Sequence, residues 1–369
     1  MDGSFVISRG TAFTYKGKPI DAKQIGRELG VRYLLEGSVR RLGDKVEVNA
    51  QLISTETGAH AWADRFDGER SKLGELQVEF VSRLANSLGV ELVRAEALRA
   101  IRERPSNPDA VDLSMRGWAE AFRPYSKLSN EAAIGLFERA LAIDPQLVPA
   151  MVGLARTLSW RTDFFQSDDP KSDIARAEDS ADRAVAAAPD NSGAHMAKAW
   201  VFYAKRQWPQ AIADADAAIA DNPNNAQAHA ERSFWNLYLG RAEHGFSGLE
   251  TAFRLSPHDP EVPFWQQEVC TLHNFLAQWE QAIEWCEKAR VGGMILYTPV
   301  HLAAASAWAG RDKQAREAVA QLQKIHPGYT VQTYAGTHYS DDPTFTAQRA
   351  RIIEGLRKAG LPEGDKKTD

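Results

Sequence analysis

Apolar and polar positions follow two different periods along the chain. Between Val46 and Leu52 every second residue is apolar, and the residues between them are polar. This alternation predicts a strand with one solvated face, and the turn sequences Gly43-Asp44 and Thr55–Gly58 place it in an antiparallel meander. From Ser71 to about Arg102, apolar residues instead recur every three to five positions, which predicts one long amphipathic helix. The remainder of the chain continues with helical periods.

Prolines divide the helical part into similar units. Pro189, Pro223 and Pro257 are spaced 34 residues apart, and Pro145 precedes Pro189 by 44 residues. A period of about 34 residues closed by proline is typical of a solenoid of helix–turn–helix hairpins. The ten additional residues fall near Thr162–Pro170, between the helices of the second unit. The predicted hairpins cover residues 114–147, 148–191, 192–225, 226–259, 260–295 and 296–329, and a last helix at about 344–358 is expected to cap the open end.

Small residues recur in phase with the prolines, at twelve, eight and five positions before each of them. Small side chains let helix backbones approach closely, and one larger residue fills the remaining hole. In this pattern the chain resembles the tetratricopeptide (TPR) family. The residues concerned are Ala133, Phe137 and Ala140; Ala177, Ala181 and Ala184; Ala211, Ala215 and Ala218; Gly245, Leu249 and Ala252; and, in two weaker copies, Ala282, Cys286 and Ala289, then Ala315, Val319 and Leu322.

The stretch from Phe5 to Gly68 resembles a TolB-like amino-terminal domain. The matching segments are Val6–Arg9, Phe13–Gly17, Gly26–Tyr33, Leu35–Arg40, Ala50–Ile53, Thr57–His60 and Trp62–Asp67. That family occurs in bacterial proteins with TPR tails, often downstream of a class III adenylate cyclase or a winged-helix transcription regulator. Its members usually begin with a strand and a helix that are missing here before Phe5, so the sequence is either cut inside a domain or a truncated paralogue. The missing strand leaves an open sheet edge, which favours self-association.

The two resemblances together define the expected architecture. We predict an α+β amino-terminal domain, an incomplete α/β unit with an antiparallel meander, followed by an all-α TPR superhelical solenoid. Residues 1–104 form the TolB-like domain with its long exit helix, and residues 105–113 form a linker around Pro105 and Pro108. Residues 114–340 form a solenoid of about six hairpins, and residues 341–369 form a capping helix and a charged tail.

The composition of the chain favours some classes of binding partner and cellular location over others. The formal net charge is −5, which disfavours nucleic acid as a ligand. No apolar run reaches the ~18–20 residues of a membrane span, and no secretion signal is present at the beginning of the sequence. The cytoplasm is therefore the expected location, with the periplasm as the alternative if a membrane segment precedes this sequence. Cys270 and Cys286 lack metal or redox spacing, and we expect buried free thiols.

The sequence contains no catalytic motif that we recognise. It lacks a phosphate-binding loop, a GxGxxG turn after a strand, a GxSxG elbow and an HExxH pair. His195 and His229 each occupy the fourth position of a repeat, where a packing role is expected rather than a metal site. We therefore predict a non-enzymatic chain with no catalytic residue, metal or cofactor. The metal ligands of a cyclase would lie in a domain that these residues do not contain.

The candidate site is the groove lined by the first helix of each hairpin. The aromatic residues at groove positions are Trp118, Phe122, Tyr125, Trp200, Tyr203, Phe234 and Tyr238. Buried rings act as anchors for apolar or amphipathic peptides, so a protein or peptide partner with apolar anchors is expected. The alternative for each ring is a place in the interhelical core.

The resulting functional hypothesis is a protein–protein interaction scaffold in a bacterial signalling or regulatory system. One alternative is the regulatory carboxy-terminal part of an adenylate cyclase whose catalytic domain lies upstream. Another is a scaffold associated with the cell envelope, as the TolB resemblance implies.

Overall fold

The computed structural model divides the chain into two compact units, Met1–Arg99 and Ala100–Asp369. It describes residues 7, 11–12, 14–18, 20–69, 73–103, 108–123, 126–163, 167–293 and 297–364. The apolar run Phe5–Ser8 predicts a short strand, and Phe164 and Phe165 in the ten additional residues are expected to protrude or fold over the groove. These two predictions fall wholly or largely outside the described residues.

The first unit contains the predicted meander. Helix α1 (Ala22–Leu29) begins at the N-cap Asp21 and ends at Gly30, which adopts a positive φ of 66°. Strands β1 (Tyr33–Leu42), β2 (Lys45–Ser54) and β3 (His60–Glu69) then form an antiparallel sheet in the order β1-β2-β3, followed by helix α2 (Leu73–Glu103). The Phe66 ring of β3 contacts the Phe80 ring of α2, with 4.8 Å between their centroids. This contact joins the helix to the sheet.

The second unit is a succession of helical hairpins. Their turns fall where the proline period predicts, because the second helix of each of the first four hairpins ends two residues before a proline of the series. The helices are α3 (Ala110–Ala121), α4 (Lys127–Ile143), α5 (Val148–Asp163), α6 (Pro170–Ala187), α7 (Ser192–Ala204), α8 (Trp208–Asp221), α9 (Ala226–Phe234, continued by a 3-10 turn Trp235–Leu239), α10 (Phe246–Leu255, preceded by a 3-10 turn Ala242–Gly245), α11 (Val262–Phe275), α12 (Trp279–Val291), α13 (Thr298–Trp308), α14 (Asp312–Ile325), α15 (Val331–Gly336) and α16 (Pro343–Lys358).

The small residues of the repeat lie where the helices approach most closely. The alanines of the in-phase triplets are almost fully buried throughout the unit. In the first hairpin Phe137 takes the place of the usual small residue, and glycines on two neighbouring helices make room for its ring. A Cβ atom added to Gly117 or Gly153 would lie 2.6 Å or 2.3 Å from a Phe137 ring carbon. The larger residue at this position is thus accommodated by a pair of glycines.

The turn between the two helices of a hairpin has a recurring left-handed residue. Gly240 and Gly310 adopt φ of 72° and 70° there, and Arg206 and Ala277 occupy the equivalent position with φ of 60° and 58°. A residue with a Cβ atom is strained in this conformation by roughly 1 kcal/mol.

Replacing Ala277 with glycine should therefore stabilise the protein by up to about 1 kcal/mol, since the turn conformation is retained and the strain is removed. Urea unfolding followed by tryptophan fluorescence measures the change. Ala303→Gly, a fully buried position inside α13, is the matched control and should destabilise the protein instead. A loss of stability in Ala277→Gly would show that the turn carries no strain.

The carboxy-terminal helix lies against the first helices of several hairpins, and its role as a cap of the open end stays a prediction. Helix α16 packs against α13, α11 and the 3-10 turn that continues α9. These are all first helices of hairpins, so α16 crosses the side of the stack that they form. We call this side the inner face. Phe345 of α16 and Tyr339 of the loop before it contact rings on this face, as described below.

The prediction that Cys270 and Cys286 are free thiols is wrong. Cys270 on α11 and Cys286 on α12 are joined in a disulfide, and both are fully buried. Their positions on the facing helices of one hairpin bring the Cα atoms within 5.1 Å, a separation that suits a disulfide. The sequence spacing of 16 residues does not indicate this proximity.

Candidate binding site on the inner face

Of the predicted groove residues, Trp118 and Phe122 lie at the amino-terminal end of the inner face. Their ring centroids are 5.4 Å apart, and both side chains are half-buried. The Trp118 indole N–H donates to the carbonyl of Pro149, which fixes the ring against α5. Tyr125 lies outside the described residues and stays a prediction.

Three of the other predicted rings, those of Tyr203, Phe234 and Tyr238, belong to one continuous cluster. Trp208 links them, since its ring lies 5.6 Å from that of Tyr203 and stacks at 4.0 Å on that of Tyr238. Phe234 packs edge-on against Tyr238 at 5.9 Å. Tyr203 is half-buried, whereas Phe234 and Tyr238 are only 7% and 8% exposed, and Trp200 is 3% exposed. These rings are the floor of the inner face, and other residues cover them.

The cover is the chain's own carboxy-terminal segment, residues 337–358, which we call the tail segment. The Tyr339 ring stacks on Tyr238 at 5.7 Å. The Phe345 ring lies between Tyr238 and Phe275, with centroid distances of 5.7 Å and 5.2 Å. Two aromatic side chains of the tail segment are therefore inserted among rings of the inner face, where each buries a large apolar area.

Hydrogen bonds to main-chain carbonyls hold the tail segment in register. The indole N–H of Trp208 donates to the carbonyl of Tyr339 at 2.9 Å, and the hydroxyl of Ser340 donates to the carbonyl of Tyr238 at 2.6 Å. Farther along, Arg351 donates to the carbonyl of Phe275, and the indole N–H of Trp308 donates to the carbonyl of Arg351, both at 2.8 Å. Asp342 caps α16 by accepting from two of its amides.

A buried ion pair also lies on the inner face, and our reading of the sequence missed it. Arg156 on α5 donates to Glu261 at 2.7 Å, and both residues are buried. The guanidinium carbon lies 4.1 Å from the centre of the Trp160 ring and 5.6 Å from that of Trp200. Arg156 occupies the ninth position of its repeat, a groove position, so a search for charges as well as aromatics at such positions would have found it.

A second charged group connects three parts of the unit. Asp163 accepts from Arg206 at 2.8 Å and from the Tyr203 hydroxyl at 2.5 Å. The Tyr297 hydroxyl donates to the main-chain carbonyl of Asp163 at 3.1 Å. Arg206 also lies 4.6 Å from the centre of the Tyr339 ring. The strained turn residue Arg206 thus contacts both the floor and the tail segment.

The two repeat histidines have structural contacts. The Nε2 atom of His195 lies 2.9 Å from the carbonyl of Pro189, and His229 makes the same contact with Pro223. Each imidazole therefore ties the start of a hairpin to the proline turn before it. Within the described ranges, no three side chains of His, Cys, Asp or Glu are arranged to hold a metal ion.

No protein-family model matches the sequence. Putative adenylate cyclase 3 of Rhizobium meliloti (strain 1021) is 38% identical over 165 residues, which are 45% of this chain and 28% of that protein. The match thus spans less than a third of that relative's length. The similarity covers part of the chain only, and the TolB-like resemblance of the amino-terminal unit stays a prediction.

Among solved structures, the human IFIT1 dimer with m7Gppp-AAAA aligns with a TM-score of 0.50 at 17% identity, over 76% of this chain and 68% of that one. A thermophilic TPR protein of Thermus thermophilus aligns with a TM-score of 0.42 at 22% identity, over 53% of this chain and 96% of that one. At such identities a likeness shows the fold alone. With the 34-residue period and its buried small residues, the second unit is a TPR-type stack of hairpins. Across the part of the chain that the structure describes, no helix has the length and apolar character needed to cross a bilayer.

Proposed function

We propose that the chain is a non-catalytic interaction module that binds a polypeptide segment on the inner face of its TPR-type stack. The observation that supports this proposal is the tail segment itself. A stretch of polypeptide already lies on this face, with Tyr339 and Phe345 as anchors among Tyr238 and Phe275. A face that holds one aromatic-anchored segment has the shape and donors to hold another.

The partner in this proposal is a protein or peptide with apolar anchors. Aromatic anchors in desolvated pockets dominate the free energy of such interfaces. The half-buried pair Trp118 and Phe122 extends the aromatic surface beyond the part that the tail segment covers. IFIT1 is solved with a capped RNA, but the formal net charge of −5 of this chain favours a protein ligand.

The proposal is tested with a fluorescent peptide that reproduces residues 337–360. Wild-type protein should bind it weakly, because its own tail segment occupies the face. The double variant Tyr339→Ala/Phe345→Ala should bind it at least about ten-fold more tightly, since both anchors of the resident segment are lost. Fluorescence anisotropy at matched protein concentrations measures the two dissociation constants.

Thr346→Ala is the matched control, because Thr346 is exposed on α16 beside Phe345. This variant should bind the peptide like the wild type. A scrambled peptide should bind to neither protein. If the double variant keeps its helical circular dichroism and still fails to bind the peptide, the inner face is not a polypeptide-binding surface.

The proposal includes two alternatives for the biological system in which the chain works. The 38% identity to a putative adenylate cyclase supports the alternative that the chain is a regulatory part of such a system, with cAMP synthesis in another domain. In that case the purified chain should convert no ATP to cAMP, and turnover by it would contradict a non-catalytic role.

The disulfide favours the alternative of an envelope-associated scaffold over the cytoplasm, because structural disulfides persist in oxidising compartments.

We also propose that the amino-terminal unit, a TolB-like domain by resemblance, associates with itself through β1. This strand is the outermost one on its side of the described sheet, and Leu35, Val39 and Leu42 are 45%, 68% and 58% exposed. Exposed apolar edge strands pair readily with other chains. Light scattering of fragment 1–105 should show an average mass that rises with concentration, whereas a constant monomer mass would exclude this association.

A further inference from the structure

A small cavity lies beneath the tail segment in the second unit. Its volume is about 70 Å³. Its wall includes rings from α11, from the residue before α13, and from α15, namely Phe264, Phe275, Tyr297 and Tyr334. The polar side chains Glu268 and His301 also line it.

Glu268 is buried in this cavity without compensation. The residue is only 1% exposed, and neither oxygen of its carboxyl group has a hydrogen-bond partner in the described part of the chain. His301 is 6% exposed, and its Nδ1 atom likewise lacks a partner there. Buried polar groups in folded proteins are nearly always satisfied, because leaving them unpaired is costly. Glu268 and His301 therefore offer polar atoms to a group that enters the cavity.

The carboxyl groups around the cavity favour a positively charged group as its ligand. Two more carboxyl groups, those of Glu231 and Glu261, add negative potential at Glu268. The nearby arginines are engaged elsewhere, since Arg156 pairs with Glu261 and Arg206 pairs with Asp163. Arg349 also lines the cavity and donates to the carbonyl of Tyr334, while its buried Nε atom has no hydrogen-bond partner among the described residues. No ion pair joins Arg349 to Glu268 in this part of the chain. Burial first, and these carboxyls second, raise the pKa of Glu268 well above its usual value, so the carboxyl group keeps its proton while the cavity is empty, and a bound cation would replace that proton.

We propose that this cavity is a binding site for a small organic cation, an alkylammonium or guanidinium group that pairs with Glu268 inside a cage of aromatic rings. Ring faces attract such cations electrostatically, and the attraction is strongest where water is excluded. An apolar cavity of about 150 Å³ holds benzene, so a cavity of about 70 Å³ suits a head group of about two to four heavy atoms. An anion cannot pair with the Glu268 carboxyl group, and a neutral amide has no charge with which to stabilise its ionised form.

The cavity adjoins the surface of the proposed function, because Tyr238 and Phe275 of the floor line both. Tyr339 and Thr337 of the tail segment form part of its wall. A bound cation would therefore stabilise the protein with its tail segment in place.

Calorimetric titration of the full chain with methylammonium and ethylammonium chloride tests the proposal. The titrations are matched for ionic strength with sodium chloride, and acetamide serves as the neutral isostere. Wild-type protein should give saturable heat with both ammonium salts and none with acetamide. In thermal unfolding, the same salts should raise the melting temperature above that in sodium chloride.

Glu268→Gln should weaken binding at least about ten-fold, because the amide keeps the shape of the side chain and removes its charge. Glu268→Asp should bind with intermediate affinity, which provides a second variant should the glutamine variant fold poorly. Glu284→Gln, an exposed carboxylate on α12, should bind like the wild type. Absence of saturable heat in the wild type at about 50 mM salt, or equal binding by Glu268→Gln, would overturn the proposal and leave the peptide experiment unaffected.

Discussion

Replacing Gly153 with alanine is expected to destabilise the helical unit by about 3 kcal/mol, at the upper end of the usual cost of overpacking. The added Cβ atom would lie 2.3 Å from a Phe137 ring carbon, closer than van der Waals contact allows. Phe137 is itself fully buried, so its ring has little room to move away. In an ordinary helix the same substitution would stabilise the protein by about 0.5–1 kcal/mol, and the reversed sign therefore reports the close packing.

Gly135→Ala is the matched control, because Gly135 lies inside α4 and a Cβ atom there meets nothing within 4 Å. This variant should be slightly more stable than the wild type. Combining Gly153→Ala with Phe137→Leu should recover part of the loss, since the smaller side chain leaves space for the new methyl group. Urea unfolding measures all variants. Additive effects of Gly153→Ala and Phe137→Leu would show that the two sites are not in contact.

Stability should fall as the pH rises towards 8, and Glu231→Gln should remove much of that fall. Burial, and then the charge of Glu261, raises the pKa of Glu231 in the folded protein to about 8. The unfolded chain releases this proton near pH ~4.3, so the folded state holds the additional proton between about pH 4.3 and 8. Linkage then makes folding progressively less favourable across that window, by an amount on the order of several kcal/mol.

The glutamine variant cannot lose a proton, so its stability should be close to that of the wild type at about pH 5 and exceed it by a few kcal/mol at about pH 8. The groups that face Glu231 are Glu261, Asp163 and Arg156, and Glu268 is coupled to it. Urea unfolding at a series of pH values measures how the free energy of unfolding of each protein depends on pH. The exposed carboxyl Glu250 supplies the control, since Glu250→Gln should leave the slope unchanged. If the free energies of unfolding of the wild type and of Glu231→Gln changed equally with pH, the result would contradict a raised pKa of Glu231.

The sequence predicted the helical repeat because the interactions that define it are local. Each proline, each triplet of small residues and each meander turn acts within one or two neighbouring elements, as at Pro189 and Ala184. The strand register of Val46–Leu52 follows from the same kind of short-range pattern.

The sequence did not predict that the tail segment covers the inner face, because the contacts join residues that are distant in sequence. Arg156 and Glu261 are 105 residues apart, and Trp208 meets the carbonyl of Tyr339 across 131 residues. No period relates such residues, and aromatic character alone does not distinguish a ring of the floor from a ring that meets solvent. Phe234 and Tyr238 were predicted as groove residues, and the structure brings them together beneath the tail segment.

The central claim, that the tail segment occupies the inner face, is tested most directly by the exchange of tryptophan indole protons. The indoles of Trp208 and Trp308 donate to carbonyls of the tail segment, whereas that of Trp118 donates to Pro149 outside it. In ¹⁵N spectra with hydrogen–deuterium exchange, Trp208 and Trp308 should exchange slowly in the wild type and at least about ten-fold faster in Tyr339→Ala/Phe345→Ala. The exchange of Trp118 should be the same in both proteins. Equal exchange of Trp208 and Trp308 in the two proteins would contradict the account.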